Sequence, residues 1–292
     1  MQDWHIRTDV IERALEEDLA DIGDVTAMAT IPADVPGTAE LVARADGVLA
    51  GIALVAAVYR HIDAGITVDV RCADGDRLAA GDVVALVSGP MRGMLTGERT
   101  ALNLVTHLSG IATATRAYVD AVAGTGCVIR DTRKTTPGLR LLEKAAVRAG
   151  GGLNHRVGLF DGLLVKDNHA AVAGSVGAAT RAALAAAGDR TVQIEVDSLD
   201  ELDEAIDAGA RDVLLDNFSV AATEEAVAHV RTREARHGRI SVESSGSIRL
   251  ENVRAYADTG VDRISVGAIT HSAPQLDLAL DVRPVATTRQ AG

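Results

Sequence analysis

Six short runs in the second half of the chain decide its architecture: CVIRD (residues 127–131), GLLVK (162–166), VQIEV (192–196), DVLLD (212–216), RISVE (239–243) and DRISVG (262–267). Helical stretches such as SLDELDEAIDAGA (198–210) and SIRLENVRAYADTG (247–260) separate them. Strands that alternate with helices run parallel through right-handed crossovers, and six such units in roughly 150 residues suit a closed or nearly closed α/β barrel. A doubly wound open sheet is the other architecture this pattern allows. No glycine-rich dinucleotide fingerprint follows any of the runs, which counts against a nucleotide-binding version of it.

Upstream the pattern changes. Ile6, Val10, Ile11, Ala14, Leu15 and Leu19 recur at helical spacing, so an amphipathic helix opens the chain over about residues 4–20. Residues 38–90 hold the short runs TAELVARADGVLAG, ITVDVRC and DVVALVSG, with a helix expected over 53–62, and read as a small mixed α+β domain. The segment GERTALNLVTHLSGIATATRAYVDAVAG (97–124) is helical in pattern, with an interruption expected at Ser109–Gly110. The division expected is an N-terminal domain over 1–110, a barrel over 111–272 and a tail over 273–292.

Composition narrows the function. The chain has 292 residues, 47% hydrophobic and 24% charged, the balance of a chain with a sizeable core. Its net charge of −12 has the wrong sign for general attraction to nucleic acid or an anionic membrane. Aromatic residues make up 2% and offer no base-stacking platform. Two cysteines, Cys72 and Cys127, are too few for a disulfide framework or a cysteine-held metal cluster, and a reducing cytoplasm is the expected compartment. The N-terminal stretch does not resemble a signal peptide, and the most apolar long stretch, residues 170–188, is mostly alanine and carries Arg181, which makes a poor membrane span.

In an α/β barrel the strand C-termini face the active site. Read that way, CVIRD leads into Thr132, Arg133 and Lys134; GLLVK ends in Lys166; VQIEV carries Glu195; DVLLD ends in Asp216; RISVE leads to Ser244, Ser245 and Gly246; and DRISVG ends at Gly267. The only three lysines, Lys134, Lys144 and Lys166, fall within one window of 33 positions. Lys144 lies in a predicted helix and is expected on the surface, solvated or paired. Between Arg130 and Lys166 eight basic residues face three acidic ones, a local balance of +5 in an acidic protein and a place for an anionic ligand. Gly150, Gly151 and Gly152 precede Asn154, His155 and Arg156 in a flexible polar turn. The turns SSGS, before a helix expected near Ile248, and VGA, before Ile269, could offer backbone N–H groups to phosphate. Glu195 and Asp216 could hold ribose hydroxyls or a hard divalent ion, or could simply neutralise the basic rim. His155, His169 and His271 lie in or beside these loops without zinc-ligand spacing, which favours hydrogen bonding or phosphate contact.

The segment DTRKTTPGLRLLEKAAVRAGGGLNHRVGLFDGLLVKDNH (131–169) resembles the quinolinate phosphoribosyltransferase family almost motif for motif. EEDLADIGDVT, GERTALNLVTHLSGIAT, IEVDSLDELDEAI, LLDNF and ISVGAITHS extend the resemblance over about residues 10–272. Ala145 stands where that pattern has an aromatic, and Ser247 where it has a glycine. The resemblance implies an N-terminal α/β sandwich, an incomplete parallel α/β barrel and a C-terminal tail that returns to the first domain. It implies an enzyme of NAD biosynthesis, a homodimer with Arg99 supplied across the interface, that joins quinolinate to 5-phosphoribosyl 1-diphosphate with release of diphosphate and CO2. Arg133, His155, Arg156 and Lys166 are carried over as quinolinate residues. Lys134 and Lys166 are carried over to the diphosphate, Glu195 and Asp216 to the ribose and Mg2+, and Ser245, Gly246, Gly267 and His271 to the 5-phosphate. Two other readings stand beside it: a paralogous transferase acting on another aromatic acid, and a non-catalytic phosphosugar-binding barrel.

Overall fold

The computed structural model describes residues 8–284, and these form two compact units. The first takes the chain up to residue 116, residues 136–151 and the stretch from 273; the second takes residues 117–135 and 152–272.

In the first unit, helices α1 (Thr8–Leu19) and α2 (Val25–Thr30) precede strands β1 (Pro36–Ala43) and β2 (Gly47–Val48). Residues 4–7 of the expected opening helix lie outside the described residues. Helix α3 (Ile52–Ile62) then leads to β3 (Thr67–Val70), β4 (Arg77–Leu78) and β5 (Val83–Pro90). Asp24 caps α2 by accepting from the Ala27 N–H at 2.8 Å. The main sheet has the order β12-β1-β5-β3, every pair antiparallel, and β12 is the tail strand Leu278–Pro284. Strands β2 and β4 form a separate antiparallel pair.

Helix α4 (Met91–Ala121) runs unbroken through Ser109–Gly110, contrary to the interruption expected there. These two small residues serve packing instead of breaking the helix. Ser109 is fully buried and its Oγ accepts the Ala50 N–H at 3.0 Å, while a methyl group on Gly110 would collide with the Pro274 carbonyl. Helix α5 (Arg140–Ala149) also departs from expectation. Lys144 is 1% exposed, with Glu143 fully buried beside it, and only Arg148 of the ten residues is exposed. A helix covered on nearly every side has no solvent face for its charges. Glu143 is met by His107 Nε2 at 2.9 Å and by the Thr136 N–H at 3.2 Å. Ala145 lines a void of about 20 Å³ with Leu54, Leu108 and Leu142, at the place where an aromatic was expected.

The second unit is the expected parallel α/β structure. Strands β6 (Val128–Arg130), β7 (Gly162–Val165), β8 (Thr191–Val196), β9 (Asp212–Asp216), β10 (Ser241–Ser245) and β11 (Arg263–Ser265) form one sheet in the order β6-β11-β10-β9-β8-β7, with every pair parallel. A single parallel bridge, Arg130 to Leu153, reaches from the β6 edge towards the chain that leads into β7. The barrel is thus incomplete, as the resemblance implied. Side chains alternate across each strand. Ile129, Ile194, Val213, Leu215, Val242 and Ile264 are at most 1% exposed on the apolar face, while Gln193, Glu195, Asp216, Glu243 and Ser245 line the other. Residues 170–188 hold two short helices, Asp167–Ala173 and Val176–Ala186, and no helix among the described residues is long and apolar enough to cross a membrane.

Replacing Gly110 with alanine forces the added methyl group into the backbone at Pro274 and should destabilise the protein by about 1–3 kcal/mol, measured by urea unfolding.

Candidate active site

At the strand C-termini a cavity of about 320 Å³ opens, lined by Thr132, Arg133, Lys134, His155, Arg156, Leu164, Lys166, Glu195, Leu214, Asp216, Ser245 and Ser265. A second cavity of about 210 Å³ shares Thr132, Lys134, Ser245 and Ser265 with it and adds Gly246, Ser247, Arg249, Gly267 and His271. Eleven of the twelve residues that the resemblance carries over to substrate or metal line one or other cavity. Arg99 does not; it is exposed on α4 in the first unit. His169 also lines neither. Its Nδ1 accepts the Lys166 backbone N–H at 3.0 Å at the start of the helix Asp167–Ala173, so it orders the end of β7.

Each functional side chain is held by local structure. Lys166 Nζ donates to Glu195 Oε2 at 2.5 Å, joining β7 to β8 at the rim. Asp216 Oδ2 accepts from Asn217 Nδ2 at 2.8 Å. Asn217 itself sits at φ 58, a left-handed conformation that asparagine tolerates better than most residues, and its N–H donates to the Ser245 carbonyl at 2.8 Å. The Lys134 carbonyl accepts from Thr270 Oγ1 at 2.8 Å, tying the Lys134 loop to the residues after β11. Asp131 is fully buried, and its two oxygens accept from Asn154 Nδ2 at 2.6 Å and the His155 N–H at 2.8 Å. That staple carries the loop bearing His155 and Arg156 over the rim. Arg156 Nη1 donates to the Gly162 carbonyl at 3.0 Å. Burial, and then the neighbouring Arg133 guanidinium, lower the Arg156 pKa against the opposing pull of Asp161 and Glu195. Two guanidinium groups sharing one pocket repel each other, and an anion between them relieves that repulsion.

The turn after β10 differs from expectation in one respect. The following helix begins at Val253, not near Ile248, because Gly246 at φ 95 and Ser247 at φ 54 both turn left-handed. Asn252 closes the loop between, its Oδ1 accepting the Arg249 N–H at 2.7 Å. Left-handed backbone is least costly for glycine, which accounts for the glycine of the resembled pattern where this chain has Ser247. Gly246 is required on a second ground, since a methyl group there would collide with the Asn217 side chain.

Sequence reasoning missed a polar layer one step below the rim. Arg130 Nη1 donates to Glu243 Oε2 at 2.8 Å, and Gln193 Nε2 donates to Glu243 Oε2 and to Asp212 Oδ1, each at 2.9 Å. Ser265 Oγ donates to Glu243, and Arg263 pairs with both Asp212 and Glu243. Glu243 is fully buried. Burial resists its ionisation, yet Arg130 and the hydrogen bonds from Ser265 and Gln193 hold its pKa below the ordinary value. Asp212 shifts the other way, raised by burial despite Arg263 and Gln193. The signal was present as polar residues two positions before two of the rim residues, Gln193 before Glu195 and Glu243 before Ser245. Among the described residues no group of three or more His, Cys, Asp or Glu could hold a metal by itself.

Residues 24–109 match the family model for the quinolinate phosphoribosyl transferase N-terminal domain, and residues 111–281 match the model for its C-terminal domain. The chain is 50% identical over 276 residues to the nicotinate-nucleotide pyrophosphorylase (carboxylating) of Mycobacterium leprae, a match covering 94% of this chain and 96% of that protein. It superposes on the crystal structure of NadC from Streptococcus pyogenes with a TM-score of 0.89 at 39% identity, covering 96% of this chain and 97% of the other. The nicotinate-nucleotide pyrophosphorylase of Ehrlichia chaffeensis gives a TM-score of 0.90 at 35% identity, covering 97% and 100%.

Substituting Glu243→Gln leaves Arg130 without its buried counter-charge and Arg263 with Asp212 alone, and should cost about 3–5 kcal/mol at neutral pH. Because the folded-state pKa of Glu243 lies below its ordinary value of 4.5, its stabilisation is fully present above that value. It is lost as pH falls through the lowered folded-state value. Urea unfolding of both proteins should therefore show a gap that is constant near neutrality and narrows in acid.

Proposed function

The chain belongs to the quinolinate phosphoribosyl transferase family, and from that premise we propose how its two cavities carry out the family's reaction. The enzyme transfers the phosphoribosyl group of 5-phosphoribosyl 1-diphosphate to quinolinate with decarboxylation, giving nicotinate mononucleotide, diphosphate and CO2 in NAD biosynthesis. One observation carries the assignment of sites. Four cations, Arg133, Lys134, Arg156 and Lys166, converge with two carboxylates, Glu195 and Asp216, on a single cavity. That surplus of two positive charges matches a pyridine dianion, and removing such a ligand from water requires fixed charge-assisted donors.

Quinolinate lies between Arg133, Arg156 and Lys166, with His155 forming part of the wall. The ribose sits against Glu195 and Asp216, and its 5-phosphate enters the second cavity among Ser245, Gly246, Gly267 and His271. No carboxylate lines that cavity, whereas Lys134 and Arg249 both do. Lys134 borders both cavities and is placed to meet the departing diphosphate. Leu164 and Leu214 form an apolar patch on which an aromatic ring can rest.

Two carboxylates are too few to make a protein-only magnesium site, but they fit an ion that arrives on the diphosphate, since Mg2+ is commonly held by one or two carboxylates together with substrate phosphates. Bound there by Glu195 and Asp216, the ion would neutralise charge on the leaving group. Lys134 and Lys166 stabilise the same developing charge while the C1–O bond of the sugar breaks and the anomeric carbon becomes cationic. The pyridine nitrogen attacks that carbon and becomes a quaternary centre. Loss of CO2 from the adjacent carbon then leaves its electron pair beside a positive nitrogen, and a proton from water completes the product. No protein base is required for either step.

The comparisons support a transferase of this family, and the assembly and compartment are our own extension. We place the protein in the cytoplasm as a homodimer, with Arg99 of one subunit completing the pocket of its partner. The two free cysteines fit a reducing compartment, and Cys127, its pKa pushed by burial up to about 12, is no nucleophile at neutral pH.

Purified protein supplied with quinolinate, 5-phosphoribosyl 1-diphosphate and Mg2+ should release CO2 and form nicotinate mononucleotide; a folded protein inactive on all three together overturns the assignment. Lys134→Ala should lower kcat by about 100-fold or more with a smaller change in quinolinate Kd. Arg156→Ala should do the reverse, raising that Kd by about 10- to 100-fold through the loss of a charged hydrogen bond. Chelation of divalent metal should abolish turnover while quinolinate binding, followed by calorimetry, persists. Nicotinate, with one carboxylate, should compete far more weakly than quinolinate.

A further inference from the structure

We propose that Gln193 is a positioning residue that locks His155 as a neutral imidazole with its proton on Nε2, so that the ring enters the pocket wall as an uncharged surface. Gln193 is 4% exposed on β8, and the orientation of its amide is fixed by charge. One end of the amide lies 2.9 Å from both Glu243 Oε2 and Asp212 Oδ1. Only the NH2 group can face two carboxylates, so the oxygen must point the other way. That oxygen lies 2.8 Å from His155 Nε2 and can only accept, which puts a proton on Nε2. The other ring nitrogen is constrained independently. His155 Nδ1 lies 2.7 Å from the Arg156 backbone N–H, which can only donate, so Nδ1 carries no proton. The backbone N–H of His155 donates to Asp131, which fixes the point of the loop from which the ring projects.

The charges around the ring do not overturn this hydrogen-bond logic. Arg130, Asp161, Asp212 and Arg263 share the cavity below His155, while Arg133, Lys134, Lys166, Glu195 and Asp216 share the one above, and Arg156 borders both. Glu243 and Asp131 lie beside them, and among these groups acids and bases balance. An imidazolium would further favour ionised Glu243, but its second proton would have to sit on Nδ1 against the Arg156 N–H.

The consequence rests on the reading of the pocket as a quinolinate site. A pyridine nitrogen attacks only while it is unprotonated, and an imidazolium in the wall would be a proton source beside it. A ring with both nitrogens spoken for inside the protein supplies none. Within one subunit, the positive charge that holds the dianion then comes from Arg133, Arg156 and Lys166, without a contribution from His155. The family resemblance groups His155 with Arg133, Arg156 and Lys166 at quinolinate; on this proposal it is the uncharged member of that group.

The test is the tautomer itself, measured without substrate, so its failure leaves the assignment of activity standing. Protein labelled with 15N-histidine is examined by long-range proton–nitrogen NMR, with His155 assigned from the signal lost in His155→Gln. The expected spectrum is that of the Nε2–H tautomer, unchanged between about pH 5.5 and 8.5, on either side of the ordinary histidine value near 6.5. A proton on Nδ1, or a ring that titrates in that range, overturns the proposal. In Gln193→Leu, which keeps a similar volume and lacks the acceptor, His155 should titrate in that range. The profile of kcat/KM for quinolinate should gain an acid-side ionisation absent from the parent enzyme. A folded Gln193→Leu with an unaltered His155 spectrum assigns the tautomer to something other than Gln193 and also overturns the proposal; if that variant fails to fold, the parent spectrum decides.

Discussion

Charge inside a parallel barrel must be neutralised where it stands, and here that constraint centres on Glu243. Its carboxylate is fully buried and is met by Arg130, Gln193, Ser265 and Arg263 from the three strands β6, β8 and β11. An unpaired carboxylate in such a place would cost several kcal/mol, so every one of those partners is held in position by the same need. Because β10 lies in the middle of the sheet, a residue there can reach strands on both sides. The incomplete barrel gains a cross-brace that backbone hydrogen bonds alone do not provide between non-neighbouring strands.

The rim residues stand on that layer. Side chains two positions apart share a face of a strand, so Gln193 underlies Glu195 and Glu243 underlies Ser245. The lower member of each pair is spent on structural neutrality. The upper member faces the cavity with capacity left for a ligand. Leu164 and Leu214 interrupt the polar layer beneath Lys166 and Asp216, which leaves an apolar surface between charged groups. A flat aromatic acid needs that combination: a nonpolar floor for its ring and fixed cations for its carboxylates.

The loops convert the scaffold into two adjoining sites. Asp131 holds the His155 loop, the Thr270 hydroxyl holds the Lys134 loop, and Asn217 ties Asp216 to the turn after β10. These contacts link residues far apart in sequence and bring the groups of the two cavities to a common border at Lys134. Electrostatic catalysis depends on such preorganisation, because charges fixed before the reaction need no rearrangement as the leaving group departs.

Much of this was legible from the order of residues. The alternation of apolar runs with amphipathic stretches fixes parallel strands, and the geometry of a βα unit places each strand's C-terminus on one side, so Lys166, Glu195 and Asp216 could be grouped before any coordinates. The motif in residues 131–169 indicated the family. Tertiary structure decided what depends on surroundings. Lys144 is buried because α5 is covered on almost all sides, and Ser109–Gly110 continues a helix because its neighbours require small residues there. The state of His155 depends on an amide from another strand. Periodicity records which side of an element avoids water. Whether a polar residue on that side is solvated, paired or confined to one protonation state depends on atoms brought near it by folding, and these are distant in the chain.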